Sequence, residues 1–468
     1  MDRKSNIPPK LAQWLLLRFL REDYAEEVLG DLEEKFNAVS QKGSPIRAKL
    51  NYWKQVIQYL RPFAFKRSKH SIRTTMLHHY LKVSWRNILR SKGFSFINVF
   101  GLAFGLTASV LIMMYVLDEW SYDKHHVGGD RIYRIASESD TDKWVAVPAP
   151  VGGAIKESFP EVETAARLVR IPGFETILLK GQKAEKQFFE TNVFYVDSTF
   201  FDVFTYDFLY GDADALSKPN TIVISDDVAT KFFGDANPIG EPLTIGLSFG
   251  DFIYTVTGVF DRERYKSHIP ANVLLSMDNN DIGSWVKQQQ SWIFNGLFHT
   301  YVKVRPGTDS EAFERKVDNL YQAEAGEDLE QAGFTKSLYL QPMEDIYLHS
   351  NLGYEVASNG NMTYLIIFSS IALFLVVIAC VNFMNLSTAK SEQRAKEVGL
   401  RKVVGAFRSS LVGQFMMESL LMSGLALIIT LILLQLVTPY FNGLISRELS
   451  LWNMPIVLVL LVGLTFAS

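Results

Sequence analysis

Residues 388–418, TAKSEQRAKEVGLRKVVGAFRSSLVGQFMME, place charged and apolar side chains at spacings that suit recognition rather than catalysis. On a helix, Leu400, Val403, Val404, Phe407, Leu411 and Phe415 recur every three or four residues and form one apolar face. Glu392, Arg394, Lys396, Glu397 and Arg401 form the other, with Lys402 beside them. Glu392–Lys396 and Glu397–Arg401 are i,i+4 pairs in the favoured order, each worth ~0.2–0.5 kcal/mol. Gly399, Gly405 and Gly413 each cost ~1 kcal/mol against alanine in a helix interior, so they suggest bends or close backbone contacts. Two uses fit this pattern equally well. One is an amphipathic helix lying flat at a membrane surface; the other is a docking surface for a cytoplasmic partner. Gln414 and Glu418 lie one turn apart where the next apolar run begins. An ionisable residue at such a depth is a functional candidate; at headgroup level it would instead tie neighbouring helices together.

Elsewhere the chemistry is sparse. No Gly-x-x-x-x-Gly-Lys-Ser/Thr loop occurs, so no phosphate cradle of that kind is expected. His78-His79 and His125-His126 are adjacent in sequence and not spaced as ligands on one helix face, and the single cysteine, Cys380, lies inside an apolar run. The carboxylates of residues 120–358 follow no hydrolytic motif. The sequence thus predicts no catalytic residue, no metal site and no directly bound cofactor.

The elements that position residues 388–418 are membrane helices. Apolar runs cover 94–117, 362–386 and 415–437, each long enough to cross a hydrocarbon core of ~30 Å at ~1.5 Å per residue. Pro439 is expected to close the third. A fourth run starts near Met454, and residues 454–468 read as the truncated start of a fourth span. Gly101, Gly105 and Ser109 put small residues on one face of the first, a pattern that lets helices approach closely in lipid, although glycine is common in such helices in any case. Between Arg61 and Gly93 lie Arg61, Lys66, Arg67, Lys69, Arg73, Lys82, Arg86, Arg90 and Lys92 without one Asp or Glu, while Asp118, Glu119 and Asp123 open the far flank. The positive-inside tendency puts the N-terminus and 388–414 in the cytoplasm and 118–358 outside.

Residues 1–70 read as a small cytosolic helical unit and 75–93 as a basic interfacial helix. Within the insert, β-rich runs at Arg131–Ala136, Thr221–Ile224 and Phe252–Phe260 alternate with helical runs at Val151–Phe159, Asp226–Phe233 and Ser310–Ala325. The insert has enough residues for two subdomains, with no visible dividing point. A net charge of −3 argues against nucleic acid as a partner, and 48% hydrophobic residues fit a mixture of spans and soluble structure. The fold class is a multi-domain α+β membrane protein: transmembrane α-helices, a mixed α/β extracytoplasmic domain and a small N-terminal helical unit.

The run Arg394-Ala-Lys396-Glu397-Val-Gly399-Leu-Arg401-Lys402-Val-Val404-Gly405-Ala406, followed by Gln414-Phe415 and Glu418-Ser419, resembles the signature after the second transmembrane helix of MacB/FtsX-type ABC transporter permeases. Trp85-Arg86-Asn87 to Lys92-Gly93 is similar to the same family, as are Arg131-Ile-Tyr133-Arg134-Ile, Asn237-Pro238-Ile239-Gly240 and Thr257-Gly258-Val259 to its periplasmic core domain. The likeness covers about 75–468, and the helical prefix is similar to a cytosolic extension on some permeases from Bacteroidota. The resemblance implies a multi-pass protein of the bacterial inner membrane without its own ATPase site. Arg394, Lys396, Glu397, Gly399, Arg401, Lys402, Gly405 and Ala406 would contact a cytoplasmic ABC ATPase dimer, through which alone ATP acts. It further implies a second permease half or homodimer partner and leaves room for a periplasmic adaptor. The implied activity is export, efflux or extraction of a peptide, antimicrobial or lipoprotein cargo by mechanotransmission. The alternative is FtsX-like regulation of a cell-wall hydrolase without transport.

Overall fold

The computed structural model describes residues 8–19, 22–42, 45–59, 69–181, 186–264, 266–393, 395–405 and 407–467. These form two compact units: one combines Phe383–Ala426 with the chain up to Phe100, the other Gly101–Asn382 with Leu427–Ala467. Among the described residues three helices are long and apolar enough to cross a membrane, Lys92–Trp120, Met362–Ala389 and Arg408–Ile445, with a shorter apolar helix at Pro455–Phe466. The third runs straight past Pro439, where the sequence suggested an end. In a membrane helix the carbonyl that proline frees is readily re-satisfied by neighbours, so proline is tolerated there.

In the first unit, helices Lys10–Phe19, Glu22–Lys42 and Pro45–Tyr59 enclose a small core of Ala12, Leu32, Phe36, Ala48, Tyr52 and Val56. Phe36 and Tyr52 meet edge to face at 5.8 Å. A long basic helix, Lys69–Arg90, precedes the first membrane helix.

In the second unit, the described residues of the insert form one 13-stranded sheet: eleven strands in a row, with Lys143–Trp144 paired to 132–139 and Phe208–Tyr210 paired to 250–260 off that row. Its order begins Lys336–Pro342, Ile132–Ser139, His299–Val304, Val162–Val169, all antiparallel. It continues through Val193–Val196, Val273–Ser276, Thr221–Ser225, Gly250–Phe260, Pro242–Leu247, Thr176–Lys180 and Gln187–Thr191. Two pairings are parallel, 273–276 with 193–196 and 250–260 with 221–225, as mixed α/β connections require.

Local sequence explains the helices that cover this sheet. Ser310–Ala332 starts where the Asp309 carboxylate accepts from the amides of Glu311 and Ala312, the usual way orphan N–H groups are satisfied. Phe313, Val317, Tyr321, Ala325 and Leu329 then repeat every four residues and are all buried against strands 132–139 and 336–342 with Val302 and Val304. Gly333, left-handed at φ +74°, ends it. Ser225 caps Asp226–Phe233 through Val228 N, and that helix buries Val228, Ala229 and Phe232 in a separate core with Ile222, Ile224, Ile245 and Tyr254.

Candidate functional site

Residues 388–418 are not one continuous helix. The second membrane helix continues to Gln393, Ala395–Val403 forms a short helix, and the third membrane helix starts at Arg408. Gly405 sits between them at φ +95°, a conformation open to glycine and strained for other residues, so a bend expected at this glycine appears as a break between the two helices. Of the residues matched to the family signature, Arg394 and Ala406 lie outside the described residues. Lys396, Glu397, Gly399, Arg401 and Lys402 belong to the short helix, whose last turn carries Arg401 and Lys402.

The apolar stripe of this segment is uncovered. Leu400, Val403, Val404 and Phe407 are 68%, 87%, 85% and 80% exposed, so the structure turns them outward instead of into its own core. Leu411, in the third membrane helix, is buried. Arg401 Nη1 donates to Gln414 Oε1 at 2.9 Å and so ties the short helix to the start of the third membrane helix. Gln414 and Glu418 are both buried; Asn87 Nδ2 donates to Glu418 Oε2 at 3.4 Å, and Tyr80 OH donates to Ser410 Oγ at 3.0 Å. Gly413 leaves room for the Tyr80 ring, 3.4 Å from where its Cβ would stand. The basic helix ahead of the first span thus holds the segment from behind while its apolar tip stays free.

In the other unit, the small residues of the first membrane helix face the second. A Cβ on Gly105 would fall 2.6 Å from Ala379 Cβ, closer than real carbon atoms approach, and one on Gly101 would meet Asn382 Nδ2 at 3.0 Å. Ser109 Oγ donates to Ala372 O at 3.0 Å. Tyr115 and Phe368 meet edge to face at 5.7 Å.

Three polar networks of the insert bring together residues that the sequence does not pair. Arg134 is fully buried: it forks onto Glu355 at 2.7 and 3.1 Å, onto Gln341 Oε1 at 2.7 and 3.2 Å, and donates to Ser350 Oγ at 3.1 Å. Ser350 also donates to Glu355. Arg134 follows the first membrane helix in the chain and Glu355 precedes the second, so one ion pair closes the insert. Arg447, from the loop after the third membrane helix, reaches Glu119 Oε1 at 2.8 Å and Tyr347 OH at 3.0 Å and also donates to Tyr122 OH. Tyr347 donates to Glu119 Oε2 at 3.0 Å and stacks on Tyr122 at 3.5 Å. Only Arg131 to Ile135, already singled out as a motif, gave a local signal.

The third network is buried around Asp123. It accepts from Ser267 Oγ at 2.8 Å, and His268 Nδ1 lies 2.9 Å from Oδ2; His126 Nε2 lies 3.5 Å from Oδ1. Thr205 N–H donates to His126 Nδ1 at 3.0 Å, which fixes that ring's tautomer. His126 is thereby spent on internal contacts. Burial alone would raise the Asp123 carboxyl, but the His268 and His126 rings outweigh it and hold it below the usual carboxylate range. His299 is pushed down to about 3 by burial, then by Arg134 and His268. His125 is pushed down to about 4 and His126 is also lowered, both first by burial. Such groups stay neutral in the folded chain but take up protons in the unfolded one below pH ~6.5. Stability is therefore complete above that pH and falls as pH drops toward 3, by up to ~1.4 kcal/mol per pH unit for His299 alone. Thermal melts of the detergent-purified protein from pH 7 to pH 5 should show this slope, and His299→Leu should flatten it. An unchanged slope would show that His299 is not held neutral.

A family model described as the MacB-like periplasmic core domain matches residues 95–320, and one described as FtsX-like permease C-terminal matches residues 369–468. Macrolide export ATP-binding/permease protein MacB of Neisseria meningitidis is 22% identical over 218 residues, covering 46% of this chain and 29% of that protein. The uncharacterized ABC transporter permease YknZ of Bacillus subtilis is 22% identical over 219 residues, covering 46% of this chain and 48% of that one. The chain therefore spans less than a third of the first of these relatives and about half of the second. The periplasmic region of MacB from Actinobacillus actinomycetemcomitans aligns with a TM-score of 0.33 at 13% identity, over 47% of this chain and 91% of that structure.

Proposed function

We infer that this chain, an ABC transporter permease of the MacB/FtsX type that joins a MacB-like periplasmic core domain to an FtsX-like permease C-terminal region, couples ATP hydrolysis by a separate cytoplasmic ATPase to conformational change in its inserted domain. The observation that carries this reading is the uncovered tip of residues 400–407. A segment meant to lie in its own protein's core would bury Leu400, Val403, Val404 and Phe407; this one buries none of them. An exposed apolar tip, tied back by Arg401 to Gln414 and edged by Arg401 and Lys402, has the anatomy of an interface anchor with a charged rim. The positive-inside bias of residues 61–92 supports placing that tip in the cytoplasm of an inner-membrane protein and the insert in the periplasm. Closure of an ATPase dimer against two such tips, one from each permease half, would move the membrane helices. The cargo would be a peptide, an antimicrobial compound or a lipoprotein, exported or extracted by the insert and any adaptor it engages.

The test is affinity capture of the detergent-solubilised chain, with ATP-binding proteins identified by mass spectrometry. Wild type should recover an ABC ATPase. Phe407→Asp removes an exposed anchor and should weaken recovery ~30-fold or more, the loss of about 2 kcal/mol expected for a hot spot; Glu397→Arg should also reduce it. Equal recovery from all three, or no ATPase from any, would return residues 395–407 to a membrane-surface role and favour the regulatory alternative.

A further inference from the structure

The N-terminal unit has its own core of Ala12, Leu32, Phe36, Ala48, Tyr52 and Val56, and large apolar side chains stay exposed on its first and third helices. On helix Lys10–Phe19, Leu11 and Trp14, one turn apart, are 68% and 57% exposed. On helix Pro45–Tyr59, Leu50 and Ile57 are 65% and 64% exposed, with exposed Lys54 between them on the same face. Neither helix contains an Asp or Glu, while together they carry Lys10, Arg18, Arg47, Lys49 and Lys54. The acids are segregated onto the helix between them, which holds Glu22, Asp23, Glu26, Glu27, Asp31, Glu33 and Glu34.

We propose that helices Lys10–Phe19 and Pro45–Tyr59 rest on an anionic bilayer surface, with Leu11, Trp14, Leu50 and Ile57 at the acyl boundary and the lysines among the headgroups. Acid-free helices with aliphatic and indole side chains left outside and lysines flanking them match an interfacial occupant, and the charge is complementary to anionic lipid. Continuity supports the same occupant. The chain from Arg61 to Lys92 is also basic and acid-free, and it enters the first membrane helix at Lys92, so the unit is tethered beside a bilayer. This placement is independent of the coupling reading: it stands or falls whether or not an ATPase binds residues 400–407.

The full chain carrying Cys380→Ala and one new cysteine, Leu11→Cys or Ile57→Cys, is labelled with a polarity-sensitive fluorophore and placed in nanodiscs. Glu34→Cys, exposed on the acidic helix, serves as the reference. In discs containing phosphatidylglycerol, headgroup nitroxide lipid should quench the probes at 11 and 57 at least about twofold more than at 34. Lys10→Glu with Lys49→Glu and Lys54→Glu should abolish the difference, as should purely zwitterionic discs. The positions substituted in the N-terminal unit (10, 11, 34, 49, 54 and 57) are all exposed, and Cys380 lies in the second membrane helix, so the small core is untouched. Equal quenching at 11, 57 and 34 in anionic discs overturns the proposal. So does shielding that appears only when a soluble cytoplasmic protein is added, which would make the occupant a protein.

Discussion

Arg134→Met is expected to destabilise the inserted domain by about 3–5 kcal/mol, the usual result of removing one partner from a buried ion pair. Arg134 is wholly buried and satisfies three partners at once. Its loss leaves the Glu355 carboxylate, Gln341 Oε1 and Ser350 Oγ without their donor in a dry site, and unsatisfied buried groups carry their full desolvation cost. For a domain of this size that corresponds to a fall in melting temperature of roughly 6–20 °C. Glu355→Gln keeps the shape and one acceptor and should cost less. The double variant Arg134→Met with Glu355→Leu should recover most of the loss, because no charge is then stranded. Thermal melts of the four proteins decide the matter. If Arg134→Met melts within a degree or two of wild type, the network is peripheral and the insert is closed by its strands alone.

That network also marks where the sequence stops being readable. Membrane helices are legible because a run of ~20 apolar residues is a local property. Strand Gly250–Phe260, read from Phe252 onward, and helix Asp226–Phe233 are legible because β-branched and aromatic residues in the one and helical spacing in the other lie within a few positions of one another. The helix starting at Ser310 was readable only to Ala325, since the polar stretch that follows hides Leu329, the last residue of the buried stripe. Arg134 and Glu355 are 221 positions apart, and no local pattern pairs them. Strand 273–276 pairs parallel with 193–196 and antiparallel with 221–225, and such crossovers leave no trace in composition. In the candidate site, composition gave the apolar face of residues 400–407 but not its direction. Whether such a face turns inward or outward depends on the left-handed break at Gly405 and the tie from Arg401 to Gln414, neither of them visible in the pattern.

Gly105→Ala is expected to force the first and second membrane helices apart, a change of one methyl group with an effect out of proportion to its size. Ordinary overpacking costs about 1–3 kcal/mol, and here the added carbon would stand 2.6 Å from Ala379 Cβ and 3.6 Å from the Leu375 carbonyl oxygen. Backbone lies behind that contact, so rotation of a flexible side chain cannot relieve it. Moving the helices apart would also stretch the bond from Ser109 Oγ to Ala372 O, which forms one turn further along. In lipid no hydrophobic gain repays the separation, because the freed surfaces face acyl chains as apolar as themselves. The companion change Ala379→Gly removes the colliding methyl and should restore stability in the Gly105→Ala background while doing little alone. A double-mutant cycle on melting temperature in detergent, repeated by protease resistance in nanodiscs, measures the coupling directly. A coupling of ~1–3 kcal/mol makes the approach at Gly105 a true helix-packing contact. If the two substitutions simply add, the stripe of Gly101, Gly105 and Ser109 reflects only the frequency of small residues in membrane helices.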